Sequence, residues 1–227
     1  MLKVAVIGAG FIGSVHAKNV ALHPATQLVA VSDVNLEAAR KVAATTGAKA
    51  VGDAAEIFND KEVEAVFIIH FFDLLRWITG DEAQEVYAIG AALVDPKVAE
   101  VGDVDTSIVA IRMASGALCQ IDSARRTGYG YDERIEVFGS KGMIESRRQR
   151  ARGVSRYVGN NVIDDGLHAG WFERIEQSYY RILDAFADAL SKGADPSPSL
   201  EDGLKAQLLA DKASESLKSG QPVKIEG

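Results

Sequence analysis

The chain has 227 residues, 47% hydrophobic and 25% charged, so a packed core is the expectation and disorder is not. Its formal net charge of -7 and pI near 5.2 oppose attraction to phosphate backbones and anionic membranes, which argues against nucleic acid or a membrane surface as partner. Cys119 is the only cysteine, so no disulfide can form within this sequence, and His16, His23, His70 and His168 lack metal-ligand spacing, so no metal site is expected.

The first elements alternate. "KVAVIGAG" is a short apolar run stopped by glycine, "FIGSVHAKNVALHP" has helical spacing ended by Pro24, and "QLVAVSDV" is a second apolar run. An Ala-rich helix, "NLEAARKVAATTG", can be capped by Gly47; a weak strand follows around Ala50, then a short helix near "DAAEIFND" and the strand "EAVFII". Strands that are apolar on both faces and alternate with helices predict a parallel sheet covered on both sides. From His70 the texture changes. "HFFDLLRWITG" places Phe71, Leu74, Leu75 and Ile78 on one helical face, closed by Gly80.

Beyond Glu85 come strand candidates joined by turn signals: "EVYAIGAALV", "TSIVAIRM", "ALCQIDSARRT", "ERIEVFGS" and "GMIESRR". These predict a mainly antiparallel sheet. "QRARGVSRYVGNNVIDDGLHAG" reads as a long loop with room for one strand, and two helices separated by "DPSPS" finish the chain, with Tyr179 and Tyr180 placed in the core. The fold class is therefore α/β: a partial parallel-sheet unit over 1–69, followed over 70–227 by an α+β domain with a mainly antiparallel sheet. A soluble, cytoplasmic protein is the expectation, since the opening apolar run is short and glycine-broken and no stretch approaches the ~20 residues that cross a bilayer.

Gly8-Ala9-Gly10-Phe11-Ile12-Gly13 matches G-x-G-x-x-G at the end of a strand and the start of a helix. In that position Gly8 permits the tight turn, Gly10 lets a pyrophosphate approach the backbone, and Gly13 allows close helix-strand packing, while the helix N-terminus offers free N–H donors. Asp33 ends the second strand, where a carboxylate can accept from ribose hydroxyls and repel a 2′-phosphate, favouring NAD over NADP. Alternatively, Asp33 or Asn35 only caps the next helix.

The stretches "VAVIGAGFIGSVHAKN", "LVAVSD", "HFFDLLRW", "GDVDTSIVAIRMASGALCQIDSARR" and "YGYDERIEVFGSKGM" resemble the Gfo/Idh/MocA oxidoreductases, most closely those of the myo-inositol 2-dehydrogenase type. The resemblance implies a Rossmann domain and a C-terminal α/β domain with a large, mostly antiparallel sheet, and hydride transfer from a secondary alcohol of a polyol or sugar to NAD. It also implies association into homo-oligomers, often tetramers, through that sheet. Tyr129 and Tyr131 fall in the signature beside the family's substrate pocket; read from the residues alone, "GYGYD" is a turn whose rings serve packing.

The resemblance breaks between Ile69 and His70. Family members continue there through strands carrying a Glu-Lys-Pro motif and reach an Asp-x-x-x-His motif before the helix that "HFFDLLRW" resembles. This sequence contains no Glu-Lys-Pro, and Val66 stands four before His70. An internal deletion of about a hundred residues is implied, since two full domains would need ~150 each. Of the family's lysine, aspartate and histidine set only His70 remains, an imidazole able to act as base near neutral pH or to serve only as a hydrogen-bonded residue at a helix start. Two readings stand: an NAD-dependent polyol dehydrogenase whose shortened chain has an incomplete catalytic set, or a non-catalytic nucleotide-binding or oligomerising remnant of that family.

Overall fold

The apolar run at the N-terminus forms β1 (Leu2–Ile7), and parallel to it lies β2 (Thr26–Ser32), followed by β3 (Lys49–Val51), in the order β1-β2-β3. A computed structural model describes residues 1–53, 71–100 and 102–225. The chain divides into two units, Met1–Ile69 with Glu176–Ser199, and His70–Ile175 with Leu200–Gly227. The expected helix near "DAAEIFND" and the strand "EAVFII" lie outside the described residues.

In the first unit, α1 (Phe11–Leu22) and α2 (Leu36–Thr46) link the three strands. One sheet face buries Val4, Val6, Leu28 and Val31 with Ala17 and Val20 of α1 and Ala39 and Val42 of α2; Ala5, Ala30 and Val51 form a second cluster. Burial on both faces is why these strands lack a polar-apolar alternation. Val4 pairs with Leu28 but Ala5 pairs with Ala30, so Val29 is an extra residue in β2. That bulge lets Leu28 and Val31, three apart, enter the same cluster. Asn35 caps α2, its Oδ1 accepting from Glu37 N at 3.2 Å, and Gly47 closes the helix at φ +76° as expected from its lack of a Cβ.

From Glu176 to its C-terminal end, α5 (Trp171–Ser191) belongs to this unit. Leu183 enters the core, the Tyr179 ring meets His16 edge-on at 5.0 Å, and buried His23 lies 2.8 Å (Nε2) from Asp184 Oδ1. Ala25 N–H donates to His23 Nδ1, which fixes the ring proton on Nε2, facing the carboxylate. Tyr179 is core as expected, whereas Tyr180 is 43% exposed, because adjacent helical residues point about 100° apart.

The second unit is built on β4 (Ala83–Ala91), β5 (Thr106–Met113), β6 (Leu118–Ala124) and β11 (Val223–Lys224), antiparallel in the order β11-β4-β5-β6. Val86, Ala88, Val109, Ile111 and Met113 face α6 (Leu200–Ser219), which supplies Leu209 and Ala213. Phe72 and Leu75 of α3 (Phe71–Thr79) join them, while Phe71 is 55% exposed. The apolar face of α3 is thus rotated from the one expected, with Phe72 in the place assigned to Phe71. Arg76, buried, reaches Asp73 (2.9 Å), Glu82 (2.8 Å) and Asp202 (3.3 Å), tying α3 to α6 and to the start of β4. Its guanidinium holds the Glu82 carboxyl down at about 2. The buried Ser216 hydroxyl accepts from Ala88 N and donates to Gln221 O, joining the end of α6 to β4.

A short α4 (Pro96–Glu100) precedes β5; buried Asp105 fastens its approach by accepting from the N–H groups of Leu93, Val94 and Asp95. β7 (Ile135–Gly139) and β8 (Gly142–Ser146) form a separate hairpin. Where the sequence allowed one strand there are two, β9 (Ser155–Val158) and β10 (Asn161–Asp164), turned at Gly159-Asn160 with Gly159 at φ +58°. Among the described residues no helix is long and apolar enough to cross a membrane, and no group of three or more potential ligands could hold a metal ion.

Candidate functional site

The glycine loop bridges β1 and α1. Gly8 stands at φ +94°, a conformation that L side chains rarely adopt, and its N–H donates to Ser32 O of β2 at 2.7 Å. Gly10 is the N-cap of α1 and lacks a side-chain cap bond. A Cβ on Gly13 would lie 1.7 Å from Gly8 O, so the first turn of α1 packs against the loop backbone so closely that only glycine fits. Ser14 Oγ donates to Gly10 O at 2.8 Å, steadying the same turn. Phe11 is 62% exposed and Ile12 is half-buried, so neither is held in the core.

Asp33 lies beside this loop. Its Oδ2 accepts from Ala9 N at 2.7 Å and its Oδ1 from Asn35 N at 2.8 Å, and these two backbone donors hold its carboxyl below the usual carboxylate range. The adjacent Val34 side chain is fully exposed. The capping role weighed for Asp33 falls to Asn35. Loop, helix N-terminus and acid are therefore brought together within one unit, and they fit the adenosine and pyrophosphate half of a dinucleotide.

In the second unit, Tyr129 and Tyr131 flank Gly130, which has φ +105° and a Cβ position only 2.8 Å from His168 O. The turn is closed by Thr127 Oγ1 donating to Gly130 O and by Tyr131 N donating to His168 O. Tyr129 is 58% exposed, its hydroxyl donating to Asp132 Oδ2 and its ring 5.6 Å from the Arg148 guanidinium. The Tyr131 hydroxyl donates to Glu133 Oε2 at 3.1 Å. Asp132, whose side chain is 5% exposed, sits between Arg134 Nε (3.2 Å) and Arg148 Nε (3.0 Å). Its part was not visible in the sequence, although it lies inside the "GYGYDE" signature.

Beside this turn is an open cleft of about 600 Å3, whose lining includes Tyr129 and sets Arg134, Arg147, Arg148 and Arg150 against Glu136, Glu145, Asp164 and Asp165. The run "RRQRAR" is thus partly neutralised: Arg147 pairs with Glu145, Arg148 with Asp132 and Arg150 with Asp164. His70 lies outside the described residues.

Residues 2–71 match the model of an oxidoreductase family's NAD-binding Rossmann fold, and residues 66–225 that of the same family's C-terminal alpha/beta domain, the Gfo/Idh/MocA group. The chain belongs to the Gfo/Idh/MocA oxidoreductases. Residues 2–71 are accordingly an NAD-binding Rossmann unit, and the glycine loop and Asp33 lie within that match. The chain is similar to a myo-inositol 2-dehydrogenase of Thermotoga maritima, 44% identical over 160 residues that cover 70% of this chain and 47% of that one. A probable dehydrogenase from Thermotoga maritima aligns over 98% of both chains at TM-score 0.83 and 28% identity. A myo-inositol dehydrogenase from Lactobacillus casei, solved with NAD(H) and myo-inositol, has a similar fold at TM-score 0.81 and 18% identity, over 100% of this chain and 97% of that one. The chain spans about half the length of the curated relatives it matches.

Proposed function

We propose that this chain derives from an NAD-dependent polyol dehydrogenase of the inositol 2-dehydrogenase type. The observation that carries the reading is the glycine loop fastened beside Asp33, in a chain 44% identical over 160 residues to an inositol dehydrogenase. NAD supplies the ring that accepts hydride from the alcohol carbon. The protein's own task is to hold the adenosine and pyrophosphate and to take the hydroxyl proton. Gly8, Gly10 and Gly13 shape the backbone that faces the pyrophosphate, with Phe11 and Ile12 contributing N–H donors at the start of α1. Asp33 accepts from the ribose, and Val34 offers an apolar surface for the adenine.

His70 is the proposed base, and Tyr129 and Tyr131 the proposed substrate contacts, in a domain running from 70 to 227 behind a shortened Rossmann domain of 1–69. The cleft beside Tyr129 balances cations with carboxylates, which favours a neutral polyol or sugar over an anion. Because Glu-Lys-Pro is absent from the sequence and Val66 replaces the expected aspartate, the catalytic set is short of two members, and the later strands that would frame the nicotinamide fall in the proposed deletion. We expect the chain to keep some affinity for the ADP-ribose half but to position nicotinamide poorly, with little or no turnover. NAD reduction assayed with myo-inositol and related polyols, with His70→Ala as control, tests this. Turnover of about 10 per second, ordinary for an enzyme, would overturn the expectation of an impaired site, and activity surviving His70→Ala would remove His70 as base. Calorimetry is expected to show NAD binding no tighter than AMP.

The second reading is a non-catalytic remnant that keeps its sheet for association. Tyr87, Ile89, Ile108 and Leu118 favour it, since they alternate with the core residues of β4 to β6 and are 37%, 47%, 42% and 76% exposed. A homo-oligomer, tetrameric as in many of the family, assembled in the cytoplasm through this face is compatible with either reading. Sedimentation together with the activity assay separates them.

A further inference from the structure

We infer that Asp33 positions the glycine loop in addition to receiving the ribose, so that part of its effect on cofactor affinity reaches the pyrophosphate through Ala9. This inference rests on the cofactor reading above. An aspartate that served only the ribose would be free until a ligand arrived. Here the carboxylate is already committed, with Oδ2 2.7 Å from Ala9 N and Oδ1 2.8 Å from Asn35 N.

Ala9 is the residue between the turn glycine and the N-cap glycine of α1, and it is buried. The loop is thus fastened to the end of β2 at consecutive residues, by Gly8 N donating to Ser32 O (2.7 Å) and by Ala9 N donating to Asp33 Oδ2. Gly8 and Gly10 have no side chains, and Gly10 has no side-chain cap, so these strand-end acceptors take over the restraint that side chains would give elsewhere.

A carboxylate has about four lone-pair sites, and two are in use, which leaves one on each oxygen for a ribose diol without releasing the loop. Ligand and loop therefore share the same carboxylate. Removing it frees a flexible Gly-Ala-Gly segment whose ordering must then be supplied by the ligand.

The test compares ADP with 2′,3′-dideoxy-ADP, which keeps the pyrophosphate and lacks the ribose hydroxyls, by calorimetry on the full chain and on Asp33→Ala and Asp33→Asn. If Asp33 positions the loop, Asp33→Ala weakens dideoxy-ADP as well as ADP, by about 3- to 10-fold for the former, the loss of about one hydrogen bond. Asp33→Asn, which keeps an amide oxygen for Ala9 N–H, restores dideoxy-ADP binding to within about 2-fold of the parent. Dideoxy-ADP affinity unchanged in Asp33→Ala would overturn the inference while leaving the ribose role intact. Amide exchange on the ligand-free proteins gives a second readout: Ala9 N–H is expected to exchange faster in Asp33→Ala and near the parent rate in Asp33→Asn. Equal exchange in all three overturns the inference without recourse to ligand. A parent chain that binds neither nucleotide would overturn the cofactor reading, and the exchange result would still decide whether Asp33 holds the loop.

Discussion

The two units bury their sheets in opposite ways. In the first, β1 to β3 are parallel and apolar residues on both faces are packed. In the second, β4 to β6 are antiparallel, α3 and α6 cover one face, and Tyr87, Ile89, Ile108 and Leu118 stand on the other. The contrast shows what each sheet is suited to. A sheet covered on both faces offers a ligand only its strand ends, and the glycine loop and Asp33 sit there. A sheet covered on one face has a broad surface left for association.

Gly13→Ala is expected to give the largest effect. Its Cβ would overlap backbone at Gly8 O, costing about 3 kcal/mol or more and weakening NAD at least about 10-fold. Urea unfolding of the second unit, followed through Trp77 fluorescence, should be unmoved; a loss in both units would show that they do not unfold independently. The counterpart in the second unit is Arg76→Ala, expected to cost about 2 to 3 kcal/mol because three carboxylates lose their common cation, less than a fully buried network would because Glu82 is half exposed.

The same network gives a pH dependence. The Glu82 carboxyl is lowered in the folded chain from 4.5 to about 2, so its contribution is present above about pH 4.5 and is lost as pH falls toward 2. Acid unfolding of the second unit across that window should flatten in Arg76→Ala; an unchanged slope would point to other carboxylates. Asn35→Ala should cost about 1 kcal/mol, confined to the first unit, through loss of the cap on α2. Ile108→Lys, on the open sheet face, should change stability by less than about 0.5 kcal/mol yet reduce self-association in sedimentation. An unchanged sedimentation profile would remove that face as the contact.

The first unit was the more legible in the sequence. Gly47 and Asn35 as caps, the glycine loop and the apolar strands all act through local rules, and local rules are what spacing records. The failures lay where tertiary contacts decide. The rotated face of α3 follows from Arg76 being drawn to Asp202 of α6, 126 residues away. The strand β11 exists because Val223 pairs with Val86, for which two residues of pattern give no signal. The hairpin β9–β10 had a readable Gly-Asn turn, but its strands are exposed on both faces and carry no alternation. At the candidate site, Asp33 was visible as a carboxylate at a strand end, whereas its bond to Ala9 N was not, because backbone donors have no letter in a sequence.

The bulge at Val29 has a bearing on the cofactor. It sits between the N-terminal half of β2, in step with β1 from Leu2 to Val4, and the half that ends at Ser32 and Asp33. One residue advances a strand by about 3.3 Å and reverses its side chains. Were Val29 in the ladder instead of bulged from it, Val31 would take the place where Ser32 now pairs with Ile7, and Asp33 would arrive one position further along, its carboxylate turned away from Ala9. The proposed choice of nucleotide would then depend on a single phase slip in a strand, set before the chain reaches the acid proposed to make it.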